Sequence, residues 1–408
     1  MNNEQFAKLQ CELARIFEYD EFYKEKFKQF GIEKSDIRTP SDLKKLPFTT
    51  KEELRAAYPL GHQAAPDEDI VRIHSSSGTT GKPIIIPYTQ NDVDAWSDMF
   101  ARCYSVAGVT KLDRIQITPG YGLWTAGIGF QSGAERLGAM TIPTGPGNTD
   151  KQIQMMIDMK STVIAATSSY ALLLAEEIRK RGVGDKIHLK KGIIGSERWG
   201  DKMRARIAKE LGIELYDVYG LTEIYGPGIS ISCERNDGLH YWNDYLYFEV
   251  IDPETGENVP DGAQGELVIT TLVKEGAPLI RYRTRDITHL INEPCPCGCK
   301  FPRHGRIVGR TDDMTKVKGV NIYPGQIDDL LREISGVSSE YQVVVEHING
   351  KDCMLLRVEC EDISDDIRKS VIRHFKTRVG ILIDVETLPI GVLPRSEKKS
   401  VRILDKRY

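Results

Sequence analysis

The sequence predicts a layered α/β protein with a small α+β domain at its C-terminal end. Two patterns and the chain length carry that expectation. From residue 70 to about 230, short apolar runs rich in β-branched residues alternate with helical segments, the signature of a layered α/β domain. After about residue 310 the alternation becomes β-α-β-β-α-β, with helices near 324–334 and 363–378. The 408 residues exceed the size at which one hydrophobic core usually stops growing, so two or more domains are expected.

Residues 1–60 read as short amphipathic helices packed on the main body. Apolar positions recur there at helical spacing, and Thr39-Pro40-Ser41-Asp42 and Thr49-Thr50-Lys51-Glu52 have the form of helix starts. The α/β body follows with strand candidates Arg114–Thr118, Met140–Pro143, Val163–Ala166 and Gly192–Gly195, and with helical segments 149–160, 170–181 and 200–211. Between 243 and 292 the candidates Tyr247–Asp252, Gly265–Thr271 and Asp286–Ile291 lie close together. Turns such as Asp252-Pro253-Glu254-Thr255-Gly256 separate them, which predicts a β-rich subdomain. The large N-terminal domain is therefore placed at 1–309 and the small domain at 310–408. No repeat, low-complexity segment or long linker intervenes, so the boundary is expected to be tight and to act as a hinge.

Hydrophobic residues make up 40% and charged residues 28% of the chain, with net charge -4, so the basic footprint of a nucleic-acid binder is missing. The opening residues lack the basic start and apolar core of a signal peptide, and no 18-residue apolar run occurs. A cytoplasmic protein with no membrane segment is expected. Of the eight cysteines, Cys11, Cys103, Cys353 and Cys360 are scattered, whereas Cys295, Cys297 and Cys299 crowd into five residues. That pattern points to metal and away from a disulfide framework.

The most informative stretch is Ser75-Ser76-Ser77-Gly78-Thr79-Thr80-Gly81-Lys82-Pro83, between strand candidates Ile70–His74 and Ile84–Pro87. Its glycines let backbone N–H groups approach a polyphosphate, its hydroxyls add donors, and Lys82 adds charge. It is not a Walker loop. That motif needs four residues before its Gly-Lys pair and a helix after it, whereas here two intervene and Pro83 leads into a strand. The ordinary alternative is a flexible hydroxyl-rich turn.

With this loop the sequence resembles the adenylate-forming superfamily, most closely its phenylacetate-CoA ligase branch, whose phosphate loop is Ser-Ser-Gly-Thr-Thr-Gly-Lys-Pro. The resemblance spans essentially the whole chain. It takes in Phe22-Tyr23, Leu46-Pro47-Phe48-Thr49-Thr50-Lys51, Tyr121-Gly122-Leu123, Gly133-Ala134-Glu135-Arg136-Leu137-Gly138 and Leu393-Pro394-Arg395-Ser396-Glu397.

The resemblance implies ATP/AMP contacts from Ser76, Ser77, Gly78, Thr79, Thr80, Gly81 and Lys82, and from Asp217 and the motif Tyr219-Gly220-Leu221-Thr222-Glu223. Tyr219 would offer a ring beside the adenine, Gly220 close approach, Thr222 a donor to the α-phosphate, and Glu223 a hard oxygen for Mg²⁺. The alternative is a tight turn after a strand at Ile213–Val218. Gly195-Ser196-Glu197-Arg198-Trp199 would border the adenine and acyl pocket, with Arg198 where the family has proline. In Tyr282-Arg283-Thr284-Arg285-Asp286, Asp286 rather than Arg283 would accept from the ribose hydroxyls.

The same resemblance makes Gly309–Gly319 the hinge segment, with Arg310 near the ribose, Asp312 as pivot and Gly319 lining the coenzyme A channel. Lys399 would be the adenylation lysine, neutralising charge between carboxylate and α-phosphate; Lys398 stands where the family has glycine. A solvated basic tail is the alternative. In part of the aromatic-acid pocket Tyr121 and Trp124 would supply ring contacts while Gly127 leaves room, against ordinary core packing.

Cys233, His240, Cys295 and Cys297 would bind a structural Zn²⁺, with Cys299 an extra thiol or a substitute ligand, against buried unligated cysteines. The implied activity joins an aromatic carboxylic acid to coenzyme A with ATP through an acyl-adenylate, in a homodimer. Competing expectations are transfer of the acyl group to a carrier protein, transfer of AMP to a coenzyme, and a non-catalytic zinc-containing binding protein.

Overall fold

The computed structural model describes residues 1–76, 82–197, 199–312, 315–318, 320–348, 351–395 and 402–407. The chain forms two compact units. The first comprises Met1–Gly145, Ser161–Ala165 and Tyr216–Arg306, and the second Pro146–Lys160, Ala166–Leu215 and Ile307–Tyr408. The expected small domain thus shares its unit with two stretches from the middle of the chain.

In the first unit the lead-in begins with a helix over Asn3–Tyr19, longer than the short helices expected. Asn2 starts it by accepting from the Gln5 N–H while the Gln5 side chain accepts from the Asn2 N–H, a reciprocal cap. Asp20 ends this helix and caps the next, Glu21–Gln29, by accepting from the Tyr23 N–H at 3.0 Å. Leu9, Leu13 and Ile16 fall on one face and are fully buried with Tyr23, Phe27, Leu272 and Ile280. The lead-in therefore packs on Leu272 and Ile280 of the body.

The body of this unit carries a parallel group, Val163–Thr167, Arg114–Ile117 and Met140–Ile142 in that spatial order. It also carries an antiparallel run, Glu214–Leu221, Gly226–Ser232, Leu239–Tyr241, Arg303–His304 and Leu290–Ile291. The β-rich subdomain is a meander of Leu246–Ile251, Gly265–Thr271 and Tyr282–Thr288. Here the structure corrects the expected strand Asp286–Ile291. The strand starts at Tyr282, and its inward residues Tyr282, Thr284, Asp286 and Thr288 alternate with outward ones; their polarity concealed the two-residue period. Leu290–Ile291 pairs with Arg303–His304 instead.

In the second unit, the strand Lys191–Gly195 and the helices Thr149–Asp158, Ser168–Arg181 and Asp201–Leu211 come from mid-chain. The C-terminal part opens with a hairpin, Thr315–Val317 and Val320–Ile322. Its main sheet runs Asp384–Pro389, Lys351–Cys360, Val337–Ile348, Ile403–Asp405, with an antiparallel centre and parallel edges. The helices Pro324–Arg332 and Asp365–Val379 send Ile327, Leu330, Leu331, Val371 and Phe375 into a core with Val343, Val345, Leu356 and Val358.

Two helices of the first unit, Gln90–Val106 and Ala126–Leu137, pack on each other and on the strand Gly226–Ser232. Their close approach depends on Gly129 and Gly133, where a Cβ would lie 2.4 Å from Trp96 and 2.5 Å from Phe100. Both ring-bearing residues are fully buried and have no room to withdraw. Gly133→Ala is expected to cost about 1–3 kcal/mol through overpacking, read as a lowered urea midpoint at unchanged slope.

Candidate active site

The strands Ile70–Ser75 and Ile85–Thr89 pair antiparallel and carry the two ends of the hydroxyl-rich loop. Ser76 closes its base. The Ser76 N–H donates to the Ile84 carbonyl at 3.0 Å, and the Ile84 N–H donates back to Ser76 Oγ at 3.0 Å. The Ser75 N–H donates to the Leu123 carbonyl at 2.7 Å, which fixes the Tyr121–Trp124 segment beside the end of the strand Ile70–Ser75. Lys82 Nζ stands 5.5 Å from the Tyr58 ring centroid. Ser77, Gly78, Thr79, Thr80 and Gly81 lie outside the described residues.

The strand expected to stop at Val218 continues to Leu221, so Tyr219 and Gly220 are strand residues and the turn begins at Thr222. Gly220 has a local reason to be glycine. A Cβ there would sit 1.9 Å from the Gly226 carbonyl of the returning strand, so the hairpin itself demands it. Thr222 Oγ1 is 3.3 Å from Thr125 Oγ1. Glu223 is buried, its Oε1 3.1 Å from Lys51 Nζ and without an aligned hydrogen bond among the described residues. Lys51 is the first residue of the helix Lys51–Ala56, which Thr50 caps. Behind the turn, Tyr88 Oη donates to the Tyr225 carbonyl at 2.9 Å, and buried Lys274 Nζ lies 3.9 and 4.2 Å from the Tyr88 and Tyr225 ring centroids.

Asp286 is brought to Tyr219, whose hydroxyl donates to its Oδ2 at 2.6 Å. Arg283 is committed elsewhere, to both oxygens of buried Glu266 at 3.0 and 2.5 Å and to the Pro253 carbonyl at 2.9 Å. The Asp217 N–H donates to Ser232 Oγ at 2.8 Å, locking its strand to the neighbour.

In the second unit, the strand Lys191–Gly195 delivers Ser196 in the left-handed region at φ 68. Glu197 then turns onto the start of the helix Ser168–Arg181. Its Oε2 accepts from Ser168 Oγ at 2.9 Å, the Ser169 N–H at 2.9 Å and Ser169 Oγ at 2.7 Å. A carboxylate at a helix N-terminus also meets the positive end of the dipole. Arg310 donates through Nε and one Nη to the two oxygens of Asp312, at 2.8 and 3.1 Å. Arg198, Gly319 and Lys399 lie outside the described residues.

The aromatic-acid candidates need correction in one respect. Gly127 does not leave open space, because a Cβ there would lie 2.8 Å from the Tyr121 ring and 2.8 Å from the Gly120 carbonyl; the gap is filled by Tyr121. Trp124 is 54% exposed, so it is not core packing. Burial raises the Tyr121 phenol to about 12, and its hydroxyl has no hydrogen-bond partner among the described residues.

Cys233, His240, Cys295 and Cys297 converge, their ligand atoms all within 4.8 Å of one another. Cys233 and Cys295 sulfurs are 3.7 Å apart, and Cys297 Sγ is 3.3 Å from His240 Nε2. His240 Nδ1–H donates to the Phe301 carbonyl at 2.8 Å, which leaves the Nε2 lone pair facing the sulfurs. Burial lowers the His240 pKa, favouring the neutral, ligating imidazole. The Cys299 N–H donates to Cys297 Sγ at 3.4 Å, so Cys299 supports the cluster through its backbone.

The fold and these motifs define an AMP-binding enzyme: the sequence profile of that name matches residues 11–272, and the profile of the AMP-binding enzyme C-terminal domain matches 319–407. Phenylacetate-coenzyme A ligases are similar over the full chain. The *Pseudomonas putida* enzyme is 41% identical over 100% of this chain and 94% of its own length. The *Escherichia coli* (strain K12) enzyme is 41% identical over 99% of this chain and 94% of its own length. The chain belongs to the phenylacetate-coenzyme A ligase family. Among solved structures, 2-hydroxyisobutyryl-CoA ligase in its postadenylation state matches with TM-score 0.89, 28% identity and coverage of 99% and 89% of the two chains. The same ligase in its thioesterification state matches with TM-score 0.72, 29% identity and the same coverage.

Lys51 and Arg395 stand in motifs that give them no task of their own, and Lys274 stands in no motif. Lys274 stands in an ordinary loop sequence, and nothing local marks it for burial. Lys51 follows a helix start, which is a structural signal only. Glu197→Ala would leave the Ser169 N–H and two hydroxyls without their carboxylate; the expected cost is about 1–3 kcal/mol, measured by chemical denaturation.

Proposed function

We propose that the chain activates an arylacetic or related aromatic carboxylic acid with ATP and transfers the acyl group to coenzyme A. Full-length membership of the phenylacetate-coenzyme A ligase family carries this reading. In the first step a carboxylate oxygen attacks the α-phosphorus of ATP and the bond to pyrophosphate breaks, giving the acyl-adenylate. In the second the coenzyme A thiol, losing its proton, attacks the acyl carbon, and AMP leaves.

The chain's residues have roles suited to positioning and charge. Ser76–Lys82 holds the pyrophosphate end, Thr222 donates to the α-phosphate, and Asp286 accepts from the ribose. Glu223 would hold Mg²⁺, which offsets phosphate charge. A cation already lies against its Oε1 in the form of Lys51, so the position suits positive charge. Tyr121 and Trp124 border the acid, with Gly127 shaping Tyr121. Lys399 neutralises the reacting carboxylate and α-phosphate, Asp312 is the pivot, and Gly319 lines the thiol's approach. Lys399→Ala is expected to lower acid-dependent pyrophosphate release at least a hundredfold, about the loss from removing one electrostatic stabiliser, while thioester formation from supplied acyl-adenylate persists. Equal loss of both steps defeats the Lys399 assignment.

The three-cysteine, one-histidine cluster suits Zn²⁺ in a closed structural site, since thiolates and imidazole fill four positions. Protein purified without added metal is expected to contain one zinc per chain by elemental analysis. Cys297→Ser should lose metal and stability together; stoichiometric absence of zinc removes this site. A homodimer, implied by the resemblance, is read directly by sedimentation.

A further inference from the structure

The C-terminal segment that leads to Lys399 is tied down by one arginine. Arg395 reaches two carboxylates at once. It donates to both oxygens of fully buried Glu359 at 3.0 and 2.8 Å, and to both oxygens of Glu176 at 3.2 and 3.1 Å. Glu359 also accepts from the Leu393 N–H at 2.8 Å, and Arg395 donates to the Leu393 carbonyl at 3.1 Å, so the backbone just before residue 396 is fixed.

Glu359 belongs to the small sheet and would travel with Arg395 wherever that sheet goes. Glu176 does not. It lies on the helix Ser168–Arg181, whose first turn holds Glu197 through Ser168 and Ser169. One rigid helix therefore holds the loop after Gly195 at one end and the segment before Lys399 seven residues on, about 10 Å apart along its axis. A second tether joins the same two parts of the chain: Lys202 Nζ donates to the Ile334 and Val337 carbonyls, each at 2.7 Å. Arg332 and Asp201 also pair, but on the surface, where such a pair contributes little.

We infer that Glu176 and Lys202 are positioning residues that favour the first half-reaction by latching the segment carrying Lys399, and that their bonds open for the second. This rests on the ligase reading and on the turn at Asp312 that the family resemblance implies. Glu176 can be removed without stranding a charge, because Arg395 keeps Glu359 and Arg206, which also bonds Glu176, keeps Glu210 at 2.8 Å.

The test measures both half-reactions on the full chain with phenylacetate: acid-dependent ATP–pyrophosphate exchange, and thioester formation from supplied phenylacetyl-adenylate and coenzyme A. Glu176→Ala and Lys202→Met are each expected to slow exchange about tenfold, a typical coupling between two states, while thioester formation is unchanged or faster. Equal loss in both steps, or no change in either, overturns the latch and leaves the ligase reading standing. A wild-type chain inert in both steps overturns the ligase reading and the latch with it.

Discussion

One buried ammonium holds the turn after Leu221 in the first unit in place. Lys274 is fully buried, lies over the rings of Tyr88 and Tyr225, and has no hydrogen-bond partner among the described residues. Desolvation lowers its pKa to about 8, and buried Asp92 and Glu12 act against that shift. The two rings belong to different parts of the site. Tyr88 stands on the strand leaving the hydroxyl-rich loop, and Tyr225 closes the turn that presents Thr222 and Glu223. Because cation–π attraction grows when the cation is desolvated, the sandwich couples the loop's exit to the turn more firmly than an exposed pair would.

Asp92 extends that coupling outward. Its two oxygens accept from the N–H groups of Thr89, Glu275 and Gly276, at 3.0, 2.8 and 2.8 Å. The same carboxylate thus closes the start of the helix Gln90–Val106 and pins the loop that supplies Lys274. Glu12, from the first helix, faces this group, and burial pushes its carboxyl well above the usual range. The lead-in helix is consequently part of the support for the turn.

The elements legible in the sequence were those whose physics is local. The helix starts at Thr39 and Thr50 and the alternating apolar runs of the body announce themselves by spacing and cap chemistry. The strand Tyr282–Thr288 was misplaced because its inward face is polar: Thr284 bonds the Leu267 carbonyl, and Asp286 meets Tyr219. Such residues are buried by partners far away in sequence, which periodicity cannot report. Gly127 was misread for a related reason, since only the folded chain reveals that Tyr121 occupies the space it opens. The crowding of Cys295, Cys297 and Cys299 points to metal by residue type, but Cys233 and His240 enter only through the family resemblance, and the orientation of His240 depends on Phe301, sixty-one residues away.

On the proposed reading, the site's charges are held by interim partners within each unit. Glu223 faces Lys51, Asp286 accepts from Tyr219, and Arg310 grips Asp312. A buried carboxylate with no counter-charge would cost several kcal/mol, and Lys51 supplies that counter-charge to buried Glu223. Binding then exchanges one partner for another instead of desolvating bare charges. Arg310 and Asp312 are the sharpest case. Their bidentate pair joins the ribose contact to the pivot, so recruiting Arg310 to a ribose would loosen the residue about which the small domain turns. Ligand occupancy and freedom of the hinge would then be linked through a single exchanged pair.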